Sequence, residues 1–189
     1  MHTKKILLIL SAALALDGCL SSHYYVLSTP SEPQSTYHAR HMSIGVERVV
    51  VPEYLFKREI AVAKSDSEVV FKDDGTWAED MDKGLTARLI GFLQKKFNAP
   101  NVHLYPWDMD SQPDRKVKVQ VSRFIAKDNR VYLDATWEVE NMHTHRKNAK
   151  LFHTIVPTKS MQTGEVVAAM NSAFKSLEED IARGIRSLR

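Results

Sequence analysis

Cys19 is the residue whose chemistry is set most plainly by its neighbours. It is the single cysteine of the chain and directly follows Leu16-Asp17-Gly18. Ahead of that lies the apolar run Ile6–Leu16, introduced by Lys4 and Lys5. A basic start, a short apolar stretch and a small residue before the cut are the layout of a secretory signal. The run is too short to cross a bilayer, which takes about 20 residues. Leu16-Asp17-Gly18-Cys19 is similar to a lipobox. Cleavage between Gly18 and Cys19 frees an amine for N-acylation, and the Cys19 thiol takes a diacylglyceryl thioether. Each buried methylene contributes about 0.8 kcal/mol, so several acyl chains make a lasting anchor. Asp17 departs from the small residue usual two places before the cysteine. Leu20 stands where an Asp would hold such a protein at the inner membrane, so the sequence points to export to the outer membrane.

Other candidate chemistry is sparse. His143-x-His145 is the nearest thing to a metal pair, but a site needs further ligands and a second shell. Arg146, Lys147 and Lys150 beside it repel a cation. Asp108 and Asp110 could share a proton, but they lie in a Pro-bounded loop, where Asp serves turns. No Gly-x-Ser-x-Gly elbow marks a nucleophile. Gly75, Gly84, Gly91 and Gly164 are isolated and cradle no phosphate. No catalytic residue, no metal and no cofactor is therefore expected beyond the acyl chains on Cys19. A net charge of +3 on 189 residues is too small an excess to point to nucleic acid.

The rest of the chain reads as the frame for these residues. Residues 1–18 are the lipoprotein signal peptide. Residues 19–42 are a lipid-anchored N-terminal segment with a Ser/Pro-rich tether. Fully extended, residues 28–42 would reach roughly 50 Å at about 3.3 Å per residue. Tyr24–Leu27 is apolar enough for a short docked edge strand. Residues 43–189 form the single folded domain, of a length that suits one core.

Within that domain, residues 43–51 read as a central strand ended by Pro52. Residues 59–63 and 68–72 read as a strand pair, closed off by Asp73-Asp74-Gly75. Thr76-x-x-Glu79 reads as a capping box that opens a helix. Its stripe Met81, Leu85, Leu89, Phe92 and Leu93 runs until Pro100. Residues 102–105 make a short strand. Residues 116–125 and 131–139 alternate apolar and polar, with a turn at Asp128-Asn129, and with a third strand at residues 150–156 they predict an antiparallel meander. Residues 164–188 predict a second long amphipathic helix. The expected fold is α/β: one mixed sheet covered by two helices. Trp77 and Trp137 are expected in its core.

Several segments in order resemble the ABC-type transport auxiliary lipoproteins, the PqiC/YmbA group. They are the Cys19 lipobox, Tyr24-Tyr25-Val26-Leu27, and Ile44 through Leu55 with its Val-x-x-Pro-Glu-Tyr-Leu. Trp77-Ala78-Glu79-Asp80-Met81-Asp82 follows, then the Val-rich strand to Phe124, and Val131–Val139 with Trp137. The resemblance implies a Gram-negative envelope lipoprotein on the periplasmic face of the outer membrane. Its implied partners are an MCE-domain membrane protein and, in many systems, an ABC transporter, which together move phospholipid between membranes. It implies a mixed α/β sheet with two helices, and no enzymatic residues.

From the residues themselves, Pro52, Glu53, Tyr54, Leu55 and Phe56 are the candidate partner contact. Tyr54, Leu55 and Phe56 are consecutive and cannot all face one core, so they offer surface for the homo-oligomer, or the several copies around a symmetric MCE-domain partner, that the resemblance implies. Two other readings stay open: an outer-membrane scaffold or assembly lipoprotein that never touches transported lipid, and a periplasmic hydrolase with a spatially assembled Ser-His-Asp set.

Overall fold

Period-two alternation becomes paired strands, and the helical stripes become a pair of covering helices. The structure, a computed structural model, describes residues 23–107 and 111–188. In chain order the elements are β1 (Tyr24–Tyr25), β2 (Ile44–Val46), a 3-10 turn (Glu53–Phe56), β3 (Glu59–Ala63), β4 (Val69–Trp77) and α1 (Met81–Phe97). Then come β5 (Val102–Leu104), β6 (Arg115–Lys127), β7 (Arg130–Asn141), β8 (Lys147–Pro157) and α2 (Thr163–Ser187). Among the described residues, eight strands form one mixed sheet in a single domain.

The long strand β6 organises that sheet. Along one edge it pairs antiparallel with β7 over its whole length, and β7 pairs antiparallel with β8. The β6–β7 turn is Asp128-Asn129, both at positive φ, as a two-residue hairpin with the right twist requires. Along its other edge β6 has two successive partners. Its start pairs parallel with β2, which carries β5 beyond it. Its end pairs parallel with β3 at Val62 and Ala126, and β4 and then β1 follow beyond β3. Val117, Val119, Val121, Val131, Leu133, Ala135, Trp137 and Val139 form the inner face, all buried under the helices.

Element ends differ from the sequence expectation where side chains found distant partners. The strand expected at 43–51 is regular only over Ile44–Val46. Beyond it the Val49 N–H turns to Thr86 Oγ1 on α1 (2.9 Å). The expected capping box is absent: Thr76 and Trp77 belong to β4, where they pair with β1. Asp73-Asp74-Gly75 continues that strand instead of closing it. Asp74 accepts from Thr163 Oγ1 (2.5 Å). At Gly75 an added Cβ would lie 2.7 Å from the Tyr25 ring. α1 starts at Met81, its first turn closed by Gly84 N–H to Asp80 O (2.9 Å). It ends before Pro100, at Asn98, whose left-handed φ of 50° suits Asn at a helix terminus. α2 approaches β7 so closely at Gly184 that an added Cβ would lie 2.3 Å from Trp137.

The main correction concerns the segment read as a tether. Residues 23–42 lie against the domain. β1 adds a parallel edge strand to β4, and Leu27 is in the core. Beyond Leu27 the segment follows the helix pair. Ser31 Oγ accepts from Arg88 Nη2 (2.6 Å), Glu32 pairs with Lys95 Nζ (2.5 Å), and Gln34 N–H donates to Glu179 (2.8 Å). Tyr37 N–H reaches Lys96 O (2.6 Å) and Ala39 N–H reaches Phe97 O (3.1 Å). Its polar composition suits what it covers, because α1 presents the buried cations Arg88 and Lys96 there. The folded unit therefore begins before residue 43. A chain starting at Ser43 loses the Leu27 burial and leaves both cations short of a partner. Against a chain starting at His23, it is expected to lose about 3–6 kcal/mol. Urea unfolding of the two checks this, and equal midpoints would contradict it.

Candidate partner-contact surface

The expected contact residues do not share one surface. Glu53–Phe56 is a 3-10 turn, held by Leu55 N–H to Pro52 O (2.9 Å). With about three residues per turn, consecutive side chains point some 120° apart. Leu55 enters the core, Phe56 is 52% exposed, and Glu53 is exposed. Tyr54 is half-buried and does a structural job. β6 carries an irregularity in its pairing with β7 between Val121 and Arg123, near where it changes partner on its other edge. Glu47 and Val50 donate to Val117 O and Val119 O, and Val50 O accepts from Val121 N–H. The next N–H, that of Phe124, donates to the Tyr54 hydroxyl (2.9 Å). Burial pushes the phenol pKa up, so this oxygen stays neutral.

The larger candidate surface is the sheet face away from the helices. Register places its residues in rows. One row runs Val50–Gln120–Thr136–Leu151, and another Ile125–Tyr132–Ile155. Val69 and Phe71 of β4 stand opposite Ala63 and Ala61 on the same face. Leu151 is 82% exposed, and Val50, Ile155, Val69 and Phe71 are exposed too. Arg123, over the Tyr132 ring at 3.9 Å, and Asp134, paired with His153, stand between the two rows. Beside them a depression of about 330 Å³ is lined by Tyr54, Ala63, Val69, Arg123, Ile125 and Lys127, among others. Toward the start of β6 the face turns charged, with Lys116–Glu140 (3.1 Å) and Lys147–Glu138 (2.9 Å). The β8 part was hidden in the sequence. Leu151 and Ile155 alternate with Phe152 and Val156, so both faces of that strand read as apolar.

The chemistry tested on the sequence resolves into structural pairs. His143 Nε2 meets Asp114 (2.8 Å) and His145 Nδ1 meets Glu140 (3.3 Å), so the two rings serve different carboxylates. Among the described residues no group of three His, Cys, Asp or Glu could hold a metal. Ser43, Asp114 and His143 do meet, but in the wrong order for a nucleophile. Asp114 stands in the middle, accepting from Ser43 Oγ (2.9 Å), while a triad needs the imidazole beside the serine. Burial works against the Asp114 charge, yet bonds from His143 and Ser43 hold its carboxyl below the usual range. A second Ser, Asp and His group fails likewise, since Ser122 Oγ donates to the Asp134 backbone carbonyl (3.2 Å). Trp77 and Trp137 are core residues. Gly18, Cys19, Asp108 and Asp110 lie outside the described residues. No helix among the described residues is long and apolar enough to cross a membrane.

Both helices lie on one face of the mixed sheet, and its other face is open. The chain belongs to the family of ABC-type transport auxiliary lipoprotein components, whose family model matches residues 25–182. That match starts inside β1, so the segment docked on the helices is part of the family domain. The intermembrane transport lipoprotein PqiC of Escherichia coli K12 is 29% identical over 140 residues, 69% of this chain and 71% of that protein. The Shigella flexneri protein of the same name matches equally. Two crystal structures share the fold. One, of an uncharacterized protein, has a TM-score of 0.68 at 23% identity and covers 87% of this chain and 97% of its own. The other, of a Xanthomonas campestris protein, has a TM-score of 0.64 at 16% identity and covers 86% and 92%.

Tyr54→Phe keeps the ring and removes the oxygen that accepts the Phe124 N–H. It is expected to cost about 1–3 kcal/mol, the penalty of a stranded donor. Phe56→Ser, on the exposed side of the same turn, should stay within about 0.5 kcal/mol of the parent. Chemical denaturation of both variants measures the contrast.

Proposed function

We propose that this chain is a non-catalytic, lipid-anchored subunit of an intermembrane phospholipid transport system. The acyl chains on Cys19 hold it at the periplasmic face of the outer membrane. The domain docks an MCE-domain membrane protein, which an ABC transporter can drive. The observation that carries this reading is the apolar open face of the sheet, around Val50, Leu151 and Ile155, on a member of this auxiliary family. Its relatives are named for intermembrane transport. Exposed apolar residues gathered on one face, with polar residues among them, suit an interaction site.

Phe56, Glu53 and Pro52 extend the contact on the side of β6 that carries Val50. Several copies per partner are expected, because weak contacts repeated around a symmetric assembly add up. β8 favours such an arrangement: among the described strands it pairs only with β7, so its other edge is free for association between copies.

Cys19→Ser is expected to give a folded periplasmic protein that no longer fractionates with outer membranes; unchanged fractionation without the partner would overturn the anchor. Val50→Asp with Leu151→Asp should keep the circular dichroism spectrum and lower recovery of the MCE-domain protein in pull-downs at least tenfold. Equal recovery would remove the open face from the interface.

A further inference from the structure

The docking of the N-terminal segment fixes which side of the domain meets the bilayer. Composition alone gave residues 28–42 the freedom to hold the domain well away from its anchor. The structure takes that freedom away, because the chain is already seated at β1. Thr76 N–H donates to His23 O (2.9 Å), and Ala78 N–H to Tyr25 O (2.8 Å). At about 3.3–3.6 Å per residue, the stretch from Cys19 to Tyr24 spans no more than ~18 Å. A domain of this length is ~40 Å across. A leash shorter than the body it holds cannot let the far side turn to the membrane.

The side it selects has matching chemistry. Tyr25 and Leu27 point inward, Tyr25 packed on the core and Leu27 within it. Tyr24 and Val26 alternate with them and point out, 70% and 45% exposed. β1 is an edge strand, pairing only with β4 among the described strands. Across the end of β4 from it, Arg58 donates to Ala78 O (3.1 Å), its guanidinium largely exposed and 3.9 Å from Asp80. Tyrosine, apolar in its ring and polar at its hydroxyl, suits the headgroup level of a bilayer. Val26 adds apolar contact.

We infer that the β1 edge, through outward-facing Tyr24 and Val26, lies on the phospholipid interface of the membrane that holds the Cys19 acyl chains. This rests on the reading of Cys19 as lipidated. The occupant is lipid headgroup, not protein, because the leash brings the bilayer there whatever partner is present. The open sheet face then stays free for that partner. From β1 to β8 the sheet order crosses β4, β3, β6 and β7. At about 4.8 Å per strand, Leu151 lies ~24 Å from Tyr24.

The test uses the full-length lipidated protein. With Cys19 acylated, Tyr24→Cys, Val26→Cys or Leu151→Cys supplies the single free thiol for an environment-sensitive fluorophore. All three positions are exposed, so labelling leaves the core intact. The proteins are reconstituted in vesicles of phosphatidylethanolamine and phosphatidylglycerol containing headgroup spin-labelled lipid. Quenching is expected to be at least threefold stronger at positions 24 and 26 than at 151. Equal quenching in protein that floats with the vesicles overturns the inference and leaves the anchor standing. Protein that fails to float overturns the anchor, and the inference with it.

Discussion

Arg88 and Glu178 are almost wholly removed from water, at 1% and 0% exposure, and the arrangement of helices and N-terminal segment depends on that pair. Burial pushes the Glu178 carboxyl up to about 7, and Arg88 is the strongest force opposing it. A buried pair is tolerable only when the remaining donors and acceptors are met. Here they are. Arg88 donates through Nε to Glu178 (3.1 Å), through Nη1 to Asn171 Oδ1 (2.5 Å), and through Nη2 to Asn171 O (2.9 Å) and Ser31 Oγ (2.6 Å). One side chain of α1 thereby joins α2 and the N-terminal segment. Since each group is too costly to strand, the three pieces come as a unit.

The two following residues of α2 extend the same logic in different directions. Glu179 takes Lys96 of α1 (2.7 Å), and Asp180 takes the Trp137 indole N–H (2.9 Å) together with Lys150 (2.8 Å). Burial opposes both charges, yet these partners hold both carboxyls below the usual range. Three successive acids thus tie one helix to its neighbour, to the N-terminal segment and to the sheet. With both helices pinned to one face of the sheet, the other face is left open. The Arg88 cluster lies on the helix side, away from that open face.

β6 sets a second constraint, because it changes partners midway along one edge. Its peptide groups must be met across the gap between β2 and β3, and the chain from Glu47 to Tyr54 meets them one after another. That is why a segment attractive as a contact surface is half structural. Leu55 and Tyr54 are committed to packing and to the Phe124 N–H. What remains exposed is Phe56, Glu53 and the outward side of Val50.

Much of this could be read along the chain, since hydrophobic periodicity reports burial directly. The alternation at 116–125 and 131–139 assigned Val117, Val119, Leu133 and Trp137 to the core, and the helical stripes gave Leu85, Leu89, Phe174 and Ile181. Asp128-Asn129 named its own turn, and Tyr24–Leu27 its docked strand. Family membership was legible in ordered short segments. Tertiary structure alone decided where charges and polar segments went. Arg88, Lys96 and Glu178 look like ordinary solvated helix positions until a distant chain covers them, and periodicity says nothing about partners far away in sequence. The Ser/Pro-rich stretch looked free for the same reason: many of its contacts are hydrogen bonds to side chains and carbonyls of the helices, which leave no apolar pattern. For the candidate contact surface, the sequence determined that Tyr54, Leu55 and Phe56 could not all be buried. Only the three-dimensional packing chose which was exposed, and which face of β8 the helices left open.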